Sequence, residues 1–149
     1  MRLVSELDYD ELELLATICS ASIHKIFPNP SMPIDIILKV IRGGVATGIA
    51  NVDAAAYAAA NPLLPSTVLA ELAPLDHCTL QVNVAANPST PPEVLEMLRV
   101  YSHKARFPAL RRHIAGNPNA SAETIAMIAK DKHKPTRDLA RAHPKYGKK

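Results

Sequence analysis

The sequence predicts an all-α protein, an α-solenoid of four helical-hairpin repeats closed by a C-terminal half-repeat. Three observations predict it. The dipeptide Asn-Pro recurs at Asn29-Pro30, Asn61-Pro62, Asn87-Pro88 and Asn117-Pro118, with a degraded copy at His143-Pro144, at spacings of 32, 26, 30 and 26 residues. The flanks agree in register. Three residues before each motif stand Ile26, Ala58, Val84, Ile114 and Ala140, and eight residues after each Asn stand Ile37, Leu69, Leu95 and Ile125. The composition is 48% hydrophobic but only 4% aromatic, without Trp, and carries 13 prolines against five glycines. Small aliphatics suit close-set helices, and a recurring period of this length marks stacked repeats.

The elements follow in order. Residues 1–22 are expected to hold an N-terminal cap helix over 8–20, with Leu12, Leu15 and Ile18 inward and Asp10, Glu11 and Glu13 outward. Repeats are expected around residues 23–44, 52–76, 78–100 and 108–131, a half-repeat at 134–144 and a loose basic tail at 145–149. In each unit an Ala-rich first helix runs into the Asn, which tolerates the left-handed conformation that ends a helix, and the following Pro prevents extension. The second helix is expected to start four residues past the Asn, at Pro33, Pro65, Pro91 or Ser121, since Pro suits a first helical position. Thr90 and Glu93 fit a capping box, and Asp35 and Glu123 share the Glu93 slot. Leu69, Leu72, Val94, Leu95, Leu98, Ile125 and Ile128 hold the inward columns. Cys19 and Cys78 read as small buried hydrophobes. The two long spacings place extra residues near 43–51 and 100–108, and such insertions collect as loops on one face of a solenoid.

The run Asn83-Val84-Ala85-Ala86-Asn87-Pro88-Ser89-Thr90-Pro91-Pro92-Glu93-Val94-Leu95-Glu96-Met97-Leu98 resembles the bacterial leucine-rich repeat variant, a HEAT-like helical repeat. Arg111-Arg112-His113-Ile114-Ala115-Gly116-Asn117-Pro118 is similar to the first half of another copy. The resemblance spans residues 23–144 and is weaker in the first copy, where Phe27-Pro28 replaces the usual Ala pair. It implies a right-handed superhelix of paired short helices, one of each pair sometimes 3₁₀, and no single activity. It also suggests a bacterial or phage origin. The iron–sulfur segment of some members has no counterpart here.

Charge is divided along the chain. Residues 1–98 hold four basic and eleven acidic residues, net −7, and residues 99–149 hold thirteen basic and three acidic, net +10. In a solenoid sequence order is spatial order, so one end is expected to be acidic and the other strongly basic. The leading expectation is a non-enzymatic, macromolecule-binding scaffold, an adaptor or inhibitor whose basic end meets an acidic protein surface. The alternative is nucleic-acid binding through phosphate neutralisation, and a third reading is head-to-tail self-association. Candidate binding residues are Tyr101, Lys104 and Arg106 in the second insertion, with Arg112, Lys130, Lys134 and Arg141. Arg111 and Arg137 share a column six residues before Asn117 and His143, where an Arg is expected to pair with a carboxylate such as Asp131 or Asp138.

No catalytic, cofactor-binding or metal-ligating set is expected. None of the six histidines pairs with another at i, i+4, and no nucleophile elbow or phosphate-cradling glycine loop appears. Residues 1–10 are acidic and lack a leader's apolar stretch, and no apolar run approaches a membrane span. Two cysteines make no disulfide framework, which fits a reduced cytoplasmic setting.

Overall fold

The computed structural model describes residues 27–31, 33–35, 37, 38, 52–104 and 107–147. Among them every regular element is a helix and none is a strand. The helices are α1 (Val52–Ala59), α2 (Ser66–Leu72), α3 (Cys78–Ala86), α4 (Pro92–Lys104), α5 (Pro108–Gly116), α6 (Ala122–Ile128) and α7 (Lys134–Ala142). Ile34, Asp35, Ile37 and Leu38 are also helical. The expected cap helix at 8–20, the insertion at 43–51, Cys19 and Arg106 lie outside the described residues.

The packing alternates with sequence. α1 packs on α3, α3 on α5 and α5 on α7. Each of α3 and α5 also touches the second helix of its own unit and that of the unit before, and α4 packs on α6. A helix with neighbours on several sides must be apolar or small on several sides. α1 meets this with Ala54, Ala55, Ala56, Ala58 and Ala59, all buried, and Ala is also the strongest helix former. The inward columns are buried as expected, since Leu69, Leu72, Val94, Leu95, Leu98, Ile125 and Ile128 are at most 6% exposed. The first-helix column Ala58, Val84, Ile114 and Ala140 is fully enclosed.

Several local expectations are corrected. Asn87 and Asn117 do end α3 and α5, but with extended backbones (φ −69, ψ 126 and φ −82, ψ 125) rather than left-handed ones. The following helix starts five residues after the Asn, at Ser66, Pro92 and Ala122. Pro65 and Ser121 are therefore N-caps rather than first helical residues; Ser121 Oγ accepts from Thr124 N at 3.0 Å. Thr90 does not cap α4. Its hydroxyl donates backwards to Val84 O at 2.5 Å, tying the turn to the end of α3. The insertion at 100–108 is mostly helix, because α4 runs on to Lys104, and Phe107 N donates to Ser102 O at 2.9 Å as the chain reverses. Cys78 opens α3 and is exposed. Lys145 is not loose: its backbone N–H donates to His143 Nδ1 at 3.1 Å and its Nζ to Ala120 O at 3.0 Å.

Candidate binding surface

The Asn residues of the repeated motif form one ladder. Asn61 Nδ2 donates to Phe27 O and Asn29 O, each at 3.0 Å. Asn87 Nδ2 donates to Ala59 O at 2.7 Å and Asn61 O at 2.8 Å. Asn117 Nδ2 donates to Ala85 O and Asn87 O, each at 2.8 Å. Every Oδ1 in turn accepts from the backbone N–H two residues on, at Ser31, Leu63, Ser89 and Asn119. The extended backbone at Asn87 and Asn117 aims the amide at the preceding unit, which a left-handed cap would not do. His143 imitates the pattern: Nδ1 accepts from Lys145 N, so the ring proton belongs on Nε2, which lies 3.2 Å from Asn117 O and donates to it. One side chain per unit thus satisfies carbonyls left open at a helix end.

The residues six before Asn87, Asn117 and His143 close the other end of the hairpin. Gln81 Nε2 donates to Leu75 O at 3.2 Å, Arg111 Nη1 to Ser102 O at 2.9 Å and Arg137 Nη1 to Asp131 O at 2.9 Å. Arg111 also forms an ion pair with the Asp131 carboxylate, with 12% and 6% of the two side chains exposed. Burial opposes ionisation of Asp131, but the Arg111 guanidinium and the His133 N–H outweigh it and hold the carboxyl below its ordinary value. Arg111 pairs with a carboxylate as its column suggests. Arg137 uses backbone carbonyls instead. Both are structural cations, withdrawn from the surface charge.

What remains forms the basic end. Lys134 and Arg141 lie on α7, four residues before and three residues after Asp138. Lys134 Nζ donates to Asp138 at 2.7 Å, and with the charges of Arg137 and Arg141 this keeps the Asp138 carboxyl below the usual carboxylate range. Arg141 Nε donates to Ala129 O at 3.2 Å, which sets it beside exposed Lys130 at the end of α6. Arg112 lies elsewhere, in a shallow groove of about 370 Å³ across α3, α5 and α7 lined by Ala86, Arg112, His113, Gly116 and Leu139. Burial, with the neighbouring Arg112 charge, pushes the His113 imidazole below its ordinary value.

The predicted site residues thus fall into separate places. Lys130, Lys134 and Arg141 gather at the α6–α7 turn, Arg112 lines the groove, and Tyr101 stands on α4 with its hydroxyl donating to Asp76 Oδ1 at 2.6 Å, which raises the phenol above its ordinary value. Lys104 ends α4, and Arg106 is outside the described residues. The roles of Gln81 and Lys145 were missed, although Gln81 stands six residues before Asn87, in the column of Arg111 and Arg137. Among the described residues no three His, Cys, Asp or Glu side chains converge as a metal site would need, and no helix is long and apolar enough to cross a membrane. No protein-family model matches the chain, and no curated protein or solved structure is significantly similar to it.

Proposed function

We propose that the chain is a right-handed α-solenoid of four helical-hairpin repeats plus a half-repeat, of the leucine-rich repeat variant kind, and that it is a non-enzymatic binding scaffold. Its basic end receives an acidic surface of a partner protein. The observation that carries this reading is the arrangement around Arg112: an exposed cation over a groove of Ala86, His113, Gly116 and Leu139, next to the cationic α7. An apolar centre with a charged rim suits a protein interface, where burial supplies affinity and charge supplies steering. Nucleic acid is the competing partner, favoured by the net +10 of residues 99–149. Salt separates the two. Affinity for a short DNA duplex would fall log-linearly and steeply with salt, whereas a protein interface retains its unscreened apolar part.

The test is the double reversal Arg112→Glu/Arg141→Glu. Capture of partners from lysate, with and without nuclease, is compared with wild type and followed by titration of the captured partner across salt. Folding is expected to survive, because exposed charges contribute little to stability and the bond from Arg141 to Ala129 O is worth about 1 kcal/mol. Loss of a nuclease-resistant partner supports the protein reading. Loss of capture on nuclease treatment favours nucleic acid. Unchanged capture by the double variant sinks the basic-end reading.

A further inference from the structure

The second helices present a face of opposite character. On α4, Met97, Val100 and Tyr101 are 39%, 41% and 37% exposed, and on α6 Met127 is 49% exposed. Met97 and Met127 occupy equivalent places, ten residues after Asn87 and Asn117. Glu96 Oε2 accepts from Thr124 Oγ1 at 2.8 Å, which ties α4 to α6 and places the two methionines on neighbouring helices. The Tyr101–Asp76 hydrogen bond brings Leu75, 36% exposed, to the end of the same stripe. None of these side chains is needed for the core, which Val94, Leu95, Leu98, Ile125 and Ile128 already fill from the opposite sides of the same helices.

The rim of this stripe is acidic. Glu93 lies one turn before Met97 and Glu123 one turn before Met127, both exposed, and Glu71 on α2 holds the column of the two methionines. Arg99 beside them is committed to Glu96, with Nη2 to Oε1 at 2.6 Å and Nε to Oε2 at 2.8 Å, which holds the Glu96 carboxyl below its ordinary value. Lys130 stands at the far edge. Exposed apolar side chains on neighbouring helices with a polar rim mark an interaction surface, and methionine adapts its shape to varied apolar partners. The carboxylate rim selects a cationic partner and repels an anionic one.

We propose that this face of α4 and α6 docks a cationic amphipathic helix of a partner protein. The apolar side of that helix lies on Met97, Val100, Tyr101 and Met127, and its Lys or Arg residues meet Glu93 and Glu123. Helix-in-groove recognition of this kind needs apolar anchors at three- and four-residue spacing in the ligand. The surface meets the basic end only at Lys130 and is of opposite charge, and the variants below touch one surface or the other, so each stands or falls without the other.

The probe is a fluorescein-labelled synthetic peptide of Leu and Lys, with leucines at three- and four-residue spacing, followed by fluorescence anisotropy. Two comparison peptides replace every Lys by Glu, or keep the composition but scramble the leucines off one face. The patterned cationic peptide is expected to bind at least about tenfold more tightly than either. Met97→Ser/Met127→Ser is expected to weaken it about tenfold. Glu93→Gln/Glu123→Gln is expected to weaken it severalfold and to flatten its salt dependence, with Arg112→Glu/Arg141→Glu no weaker than wild type. Urea midpoints by circular dichroism check the fold of each variant, and the glutamate pair decides the matter if the methionine pair misfolds. Equal binding of the scrambled peptide, binding of the acidic peptide, or unchanged affinity in the folded variants would overturn the proposal.

Discussion

Asn87→Ala tests the ladder at its centre. The substitution removes three hydrogen bonds at a residue only 3% exposed: two donated by Nδ2, to Ala59 O and Asn61 O, and one accepted by Oδ1 from Ser89 N. At about 1 kcal/mol net for each bond the direct loss is about 3 kcal/mol, and a buried carbonyl left unpaired adds about 1–3 kcal/mol. Asn61 O keeps its bond from Leu64 N, so the added penalty falls mainly on Ala59 O, whose residue is fully buried. The expected total is about 4–6 kcal/mol. That is a large share of the ~5–15 kcal/mol that holds a typical domain together. The comparison is Asn119→Ala, which loses bonds to Pro88 O and Thr90 O at a half-buried position and is expected to cost about 1 kcal/mol. Asn87→Asp sharpens the case. A carboxylate oxygen would face two carbonyl oxygens, so this variant is expected to be less stable than Asn87→Ala at neutral pH. Its folded-state pKa would be raised, so stability returns as the pH falls. The assay is urea unfolding followed by far-UV circular dichroism, since the chain has no Trp. A loss below about 1 kcal/mol for Asn87→Ala, or equal losses at Asn87 and Asn119, would refute the reasoning.

The remaining predictions probe other links. Leu95→Ala empties a fully enclosed position and is expected to cost about 2–5 kcal/mol in the same urea assay; a loss under about half a kcal/mol would mean the core register is wrong. His143→Asn places a two-donor amide where the ring donates one bond, and is expected to raise stability by about 0.5–1 kcal/mol, measured as a higher urea midpoint at unchanged slope. Asp131→Asn removes a carboxyl whose folded pKa is depressed; that stability is present above its unfolded value and is lost as pH falls through the folded one. The variant is therefore expected to be less stable than wild type at neutral pH and to converge with it in acid, and parallel acid limbs would show that the Arg111 pair contributes nothing.

The repeat was legible in the sequence because its signal is periodic. Asn61, Asn87 and Asn117 mark the turns, and Leu69, Leu95 and Ile125 mark the buried columns at fixed offsets, as the structure places them. At Asn87 and Asn117 the backbone is extended rather than left-handed, for one reason. Asn can take a left-handed cap from purely local preference, and local preference is all that a single unit displays. The groups that decide its conformation, Ala59 O and Asn61 O for Asn87, lie 28 and 26 residues earlier. Thr90 likewise carries the pattern of an N-cap but spends its hydroxyl on Val84 O behind it.

The candidate surfaces divide in the same way. Net charge by region is a count, so the acidic first part and the basic last part were determined by sequence alone. Which charges are available was not. Arg111 and Arg112 are neighbours in the chain, yet one is held by Asp131 and Ser102 O while the other stands open over the groove. Met97 and Leu98 are neighbours too, and one is 39% exposed while the other is 1%. Sequence determined the period, the helices and the apolar columns, because these depend on spacing along one chain. Tertiary structure decided which polar groups are satisfied and which faces stay open, because a hydrogen bond or an enclosed surface needs its second partner brought in from another repeat.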